Sequence, residues 1–247
     1  MTIGALIVVV ALTPAPQGGS ALALARELEH DDWRRSDALW RLRQLGSDAA
    51  PVLPALLCVI EEEIPNSPVP HGGDSNLRDA TEALSAIGPG IIPPILQVLD
   101  APCGSPVGAK ASSGRSCRLS LPPNEEDGRA EYCEWVRYRL ASALGGLDPQ
   151  VIPDLVAAFR QPGPRRPYLA HALGLFGPLG TAAISELVAG LDGADTDLQL
   201  QCAEALGEIG PAARGALPAL RSLLANQDDT HKWTVREAIR KIEQESP

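Results

Sequence analysis

The residues of this chain best suited to metal, redox or nucleophilic chemistry are its five cysteines and four histidines, and their spacing argues against most of that chemistry. His30, His71, His171 and His231 stand singly and far apart. A zinc or di-iron centre needs several imidazoles, thiolates or carboxylates converging on one point. No Cys-x-x-Cys pair occurs, and no histidine lies near Cys103, Cys117 or Cys133. The thiols instead read as two kinds. Cys58 and Cys202 sit in apolar helical runs and are expected as buried free thiols. Cys103, Cys117 and Cys133 lie in or beside a Gly/Ser/Pro-rich stretch, where an oxidising compartment would favour a disulfide. The simplest pair is Cys103 with Cys117, and a loop of that length is worth about 3 kcal/mol in the chain-entropy view. No Gly-rich phosphate loop and no G-x-S-x-G elbow is present. The expectation is a protein that is not an enzyme, with no cofactor and no metal.

What would have to position any such residues is a recurring phrase. It reads Ala83-Leu-Ser-Ala-Ile-Gly88, Ala143-Leu-Gly-Gly-Leu-Asp148, Ala172-Leu-Gly-Leu-Phe-Gly177 and Ala205-Leu-Gly-Glu-Ile-Gly210, with a weaker Arg41-Leu-Arg-Gln-Leu-Gly46 ahead of them. A second apolar run follows each, opened by Pro54, Pro93, Pro153, Ser185 or Pro218. Self-similarity at about 30 to 40 residues is the mark of a stacked solenoid. Leu198, Cys202, Ala205, Leu206 and Ile209 form one stripe at helical period. Asp195 to Asp197 offer N-cap oxygens, Gly210 suits the left-handed position that ends a helix, and a proline fits the first turn of the next. The same grammar gives helix pairs over about 31–63, 76–100, 133–161, 165–192 and 195–226, and a last helix over about 232–244. The turns inside the pairs come in two lengths: three repeats carry three more residues there than the other two.

Two insertions interrupt the pattern, at 64–75 and at 101–131; the longer contains Cys103, Cys117 and an acidic run with Glu125 and Glu126. The first 25 residues differ again. An apolar run from Ile3 to Leu12, a Pro/Gly breaker and Ser20-Ala-Leu-Ala23 follow the order of a signal peptide, with a cut after Ala23 or Ala25. No lysine or arginine precedes the run. Export to the periplasm or outside the cell is therefore the expectation, and a cytoplasmic place follows if the leader is not a signal peptide. The formal charge of −10 disfavours sequence-independent binding to nucleic acid or to anionic membranes. No stretch of 18 apolar residues is available to span a bilayer.

Paired helices, the first closing on Ala-Leu-x-x-apolar-Gly and the second opening on apolar-Pro-x-Leu, resemble HEAT repeats of the phycobilisome-lyase-like subtype. The resemblance covers residues 31–244. It implies an all-α, right-handed α-solenoid (superhelix) of about five HEAT helix pairs with a C-terminal cap helix. It also implies a structural arginine between neighbouring repeats at each first-helix start. Arg78, Arg137, Arg166 and Arg236 match that position, whereas Gln201 and the start of the first repeat depart. Iron-binding relatives carry His-Glu pairs where this chain has Ala170-His171 and Ala203-Glu204, so their chemistry is not expected. DNA-repair relatives line a groove with cations, and the charge here has the wrong sign. A lyase-like enzyme subunit is the alternative: Tyr132, Trp135, Tyr138, Phe159, Tyr168 and Phe176 gather in the third and fourth repeats, with Arg137 or Arg166 able to pair a tetrapyrrole's propionates. A purely structural spacer is the other alternative. The favoured reading is a non-enzymatic interaction module that binds a protein or extended peptide on a concave face made by the second helices. Arg160, Arg165, Arg221, Glu125 and Glu126 are the candidate contact residues.

Overall fold

A computed structural model describes residues 18–30, 33–63, 75–102, 126–226 and 231–244. Every regular element among them is a helix. The pairs are α2 (Trp33–Leu45) with α3 (Leu53–Glu63), α4 (Ser75–Ile87) with α5 (Ile92–Asp100), and α6 (Glu126–Gly145) with α7 (Ile152–Arg160). Then come α8 (Arg166–Gly174) with α9 (Ile184–Gly190), and α10 (Thr196–Ile209) with α11 (Leu217–Asn226). A helix α1 (Gly18–Glu27) precedes them and α12 (Lys232–Glu243) closes the stack. The chain is an all-α solenoid: each first helix packs on the next first helix, and one continuous core runs from Ala21 to Ile242.

The local grammar explains these elements. In α10 the stripe of Leu198, Cys202, Ala205, Leu206 and Ile209 is buried. The carboxylate of Asp195 accepts the Leu198 N–H at 3.1 Å and starts the helix. Gly46, Gly88, Gly177 and Gly210 all have positive φ. Gly210 has φ 76° and ψ −144°, an extended glycine conformation and not the left-handed helical one expected. Where Asp148 replaces the glycine, φ is −60° and its carboxylate accepts the Gln150 N–H at 2.9 Å instead. The turns are 3-10 helices of two lengths: Pro89–Ile91 and Pro149–Val151 are short, and Gly46–Val52, Gly177–Ala183 and Gly210–Ala216 are long.

The structural arginine is present, one register away from some of the residues expected. Six positions before each Ala-Leu pair or its equivalent stand Arg35, Leu77, Arg137, Arg166, Gln199 and Lys232. Arg35 donates to the Leu28 carbonyl (3.0 Å), Arg137 to Ala101 (2.6 Å) and Arg166 to Phe159 (3.2 Å). Gln199 donates to the carbonyls of Leu191 and Gly193 at 3.0 and 2.6 Å. Each ties a first helix to the frayed carbonyls at the end of the preceding helix, which have no intrahelical partner. The first repeat therefore follows the rule through buried Arg35. Gln199, not Gln201, fills the position in α10, and Arg78 turns outward to Glu82 at 3.0 Å.

Three features differ from expectation. α1 overlaps the stretch read as a leader and runs two residues past it, and its Ala21 and Ala25, with Leu28 just beyond its end, are buried where the helix packs on α2 and the 46–52 turn. α6 begins at Glu126, inside the segment read as an insertion. The two layers are also unequally spaced. Consecutive first helices pack along their lengths, whereas consecutive second helices barely meet among the described residues. The reason is small residues: a Cβ on Gly174 would stand 2.8 Å from the Ala205 Cα, and one on Gly207 2.8 Å from the Ala238 Cα. The first helices thus form the closer-packed layer of the stack.

Candidate functional site

On each first helix, the residue just before the Ala-Leu pair points directly away from the core. Residues five and eight positions before the pair, and three after its alanine, share that face, because steps of four and seven keep one side of a helix. The outward positions are Trp33 and Trp40 on α2, Arg78 and Glu82 on α4, and Trp135, Tyr138 and Ser142 on α6. They continue as His171 and Leu175 around the end of α8, Glu204 and Glu208 on α10, and Trp233, Glu237 and Lys241 on α12. All four tryptophans of the chain fall on this ridge. Trp33, Trp40 and Trp233 are 73, 60 and 71% exposed, and Leu175 is 48% exposed.

Polar side chains link neighbouring helices along the ridge. Arg43 and Arg78 both reach the Glu82 carboxylate, which holds it below the usual carboxylate range, with the Arg78 hydrogen bond the largest cause. Ser142 Oγ lies 3.3 Å from His171 Nε2, and the Tyr138 ring meets His171 and Tyr168 edge-on at 5.4 and 5.1 Å. Burial, and secondly Arg139, push the His171 imidazolium down from its ordinary value, so the ring is neutral. The Tyr168 hydroxyl donates to the Glu134 carboxylate at 2.6 Å, and burial above all raises its pKa to about 12. Lys241 donates to Glu208 at 2.6 Å. Arg240 pairs with Glu237.

Between α8 and α10 the ridge opens into a cleft of about 60 Å³, lined by His171, Gly174, Leu175, Gln201, Glu204, Ala205 and Glu208. The Oε1 of Gln201 is buried there without a hydrogen-bond partner. The Glu204 carboxyl is raised above its ordinary value, first by the surroundings that displace its water and next by Glu208. A larger polar hollow of about 560 Å³ lies between the α9–α10 turn and α11, walled by Asp192, Thr196, Ser222 and Asn226 among others. Among the described residues no cluster of His, Cys, Asp and Glu has the arrangement of a metal site, and no single helix is long and apolar enough to cross a membrane.

The candidate contact residues are not brought together. Arg160 reaches Glu186 of the next second helix at 2.9 Å, Arg165 pairs with Asp100, and Arg221 meets Glu243 at 2.7 Å. Arg160 joins α7 to α9, Arg221 joins α11 to the cap helix α12, and Arg165, just ahead of α8, reaches back to the end of α5. Glu125, Cys103 and Cys117 lie outside the described residues, as does the side chain of Glu126 at the start of α6. Cys202 is a buried free thiol, pushed up to about 12 mainly by burial. Cys58 is not free: it and Cys133 are both disulfide-bonded. A thiol in an apolar helical run carries no sequence mark of a bond to a distant segment. Of the aromatic cluster, Phe159, Tyr168 and Phe176 are core residues, and only Trp135 and Tyr138 belong to the ridge. Arg137 is occupied by Ala101 and Tyr168, and Arg166 by the Phe159 carbonyl and ring face.

The ridge escaped the sequence reading although its signal is present. Tryptophans at outward positions of α2, α6 and α12 can be located by aligning the Ala-Leu pairs, but hydrophobic periodicity counts a tryptophan as core.

No known protein family and no curated protein matches the chain in sequence. Solved helical-repeat structures align with it at low identity. A designed armadillo repeat protein in complex with the peptide (KR)4 is 14% identical, covers 90% of this chain and 99% of its own length, and has a TM-score of 0.41. Two engineered proteins are 18 and 20% identical with TM-scores of 0.37 and 0.38, covering 91 and 90% of this chain and 96 and 98% of themselves. The likeness is one of helical-repeat class alone.

Proposed function

We propose that the chain is a non-enzymatic binding module of HEAT type, phycobilisome-lyase-like in its repeats and right-handed in its superhelix, that holds a protein or extended peptide against its first helices. One observation carries this reading: all four tryptophans stand on the ridge of the closer-packed layer, with Trp33, Trp40 and Trp233 exposed and Trp135 half-buried. Exposed tryptophans cost solubility and contribute nothing to the core, whereas tryptophan is the residue type most enriched among binding hot spots. A concave layer lined with such anchors buries an extended ligand along several repeats at once. Arg160, Arg165 and Arg221 belong to the outer layer in this reading and serve the stack, not the partner.

Selection of a random peptide library on the whole chain tests it. Recovered peptides should lose binding to W40A/W233A and keep it toward R160E/R221E. Failure to enrich any peptide, or binding indifferent to the tryptophans, would sink the proposal.

Export is part of the proposal. The disulfide-bonded state of Cys58 and Cys133 supports an oxidising compartment. Burial of Ala21 and Ala25 in α1 favours removal of a leader ahead of Gly18 over a cut after Ala23 or Ala25, which would sever a packed helix. Intact mass of the chain from an exporting host, with denaturing alkylation, decides both points. A full-length mass with all cysteines alkylated would return the protein to the cytoplasm.

A further inference from the structure

One register position decides how each first helix receives the next. It is the second residue past the alanine of the Ala-Leu pair or its equivalent: Arg43, Ser85, Gly145, Gly174, Gly207 and Arg240. Arg43 of α2 pairs with Glu82 of α4, and Ser85 Oγ of α4 donates to the Ala143 carbonyl of α6 at 2.9 Å. A Cβ on Gly145 of α6 would stand 3.0 Å from the Ala172 carbonyl oxygen of α8, and Gly174 and Gly207 admit Ala205 of α10 and Ala238 of α12 in the same way. From Arg43 to Gly207, each of these residues faces the following first helix. Four residues earlier on the same side, α6, α8 and α10 carry Ala141, Ala170 and Ala203, all buried. α12 breaks the series at both places, with Arg236 and Arg240 exposed.

These two arginines stand where a further first helix would pack. Burying a guanidinium there without a carboxylate is costly. Arg43 shows the condition under which an arginine is tolerated at this position: Glu82 of the next helix meets it. On α12, Arg240 is already held by Glu237 of its own helix, and Arg236 pairs with no carboxylate among the described residues. We infer that Arg236 and Arg240 keep the chain from stacking end-on with a second copy of itself, on a face that otherwise has the form of an internal joint between first helices. Two copies meeting through α12 about a twofold axis would set the same patch against itself. Arginine would then face arginine, and like charges across an interface oppose association. A stack needs a polar end to stay soluble, and here two side chains supply it where the inner helices have alanine and glycine. End-on closure holds whether or not the ridge binds a peptide, because Arg236 and Arg240 lie beside the line of Trp233, Glu237 and Lys241 and not on it.

Sedimentation equilibrium of the whole chain tests it, beside R236A/R240A and R236K/R240K. The natural chain and the lysine variant should stay single at every concentration. R236A/R240A should self-associate, its apparent mass rising toward twice that of the monomer as concentration increases. Hydrogen exchange of the associated form should slow in α12 relative to the same variant when dilute. Thermal unfolding shows whether the double variant is folded; if it is not, R236A takes its place, since it leaves the Arg240–Glu237 pair intact, and it should associate in the same way. A folded alanine variant that stays single overturns the inference, as does association that leaves exchange in α12 unchanged. A natural chain that already pairs through α12 overturns it too. Association of R236K/R240K to the same extent as R236A/R240A also sinks it, because the lysines retain the charge.

Discussion

The two layers of this stack are built from the same repeats and solve different problems. First helices meet through alanine and glycine, with Gly174 against Ala205 and Gly207 against Ala238. Second helices meet their neighbours sparsely, with the Arg160–Glu186 ion pair joining α7 to α9 at the surface. Contacts of the first kind tolerate no added atom, since packed backbones cannot yield. Contacts of the second kind are solvent-screened and individually weak. Close packing is thus concentrated in one layer, and that layer is also the one that displays the tryptophans. The outer layer is free to vary in turn length and charge.

Breaking the tight layer should have the largest effect. Gly207→Val drives a branched side chain into the Ala238 backbone and should destabilise by about 3 kcal/mol, within the upper range for overpacking. Gly90→Ala is the control: nothing lies within 4 Å of the added carbon, and a change within about 0.5 kcal/mol is expected. Denaturant unfolding of the two variants compares them directly. Equal losses would mean that the close approach of first helices does not hold the stack.

Next is the strut between layers. Arg166→Ala removes a charged donor from the Phe159 carbonyl and a guanidinium from the Phe159 ring face; the hydrogen bond alone is worth about 1.5–3 kcal/mol. Arg78→Ala, whose side chain stays at the surface, should cost far less in the same assay.

A smaller effect follows from His171. Its folded-state pKa lies below that of the unfolded chain, so between those two values the unfolded state binds more protons. The contribution of neutral His171 is therefore complete above the ordinary histidine value and is lost as pH falls through the folded-state value. H171Q should flatten that part of the stability–pH curve. An unchanged slope would show that the imidazole is not held neutral by its neighbours.

Smallest is the outer layer. Arg160→Ala should change stability by about 0–1 kcal/mol, less at high salt. A loss as large as that of Arg166→Ala would erase the distinction between the layers.

The architecture was legible because repetition multiplies weak signals. One Ala-Leu-x-x-apolar-Gly phrase is commonplace, while several in one register specify a stack. Periodicity also located the α10 stripe, the Asp195 cap and the two turn lengths. What stayed hidden depends on spacing between helices, to which a linear pattern is blind. Gly174 and Gly207 look like tolerated glycines in a helix until Ala205 and Ala238 are seen against them. Which layer packs more closely follows from that contact. Arg35 is hard to see in the sequence because the first repeat lacks the full phrase, and Arg78 stands one residue off the register, which Leu77 occupies. Arg160, Arg165 and Arg221 drew attention as charges near loops, yet each has a carboxylate of an adjacent element beside it. α1 was obscured because small apolar residues serve a leader and a packed helix equally well.

Close spacing of the first helices also makes the ridge a ruler. Each helix contributes one outward rung, and helices packed through small residues stand about 8–10 Å apart. An extended chain advances about 3.3 Å per residue, so successive rungs meet every third residue of a strand laid across them. A polyproline II ligand repeats every third residue at about 3.1 Å each, which matches the rungs without adjustment. A β-strand, whose side chains alternate every second residue, falls out of step after the first. The glycines that set the helix spacing therefore also set the reading frame of whatever lies on it.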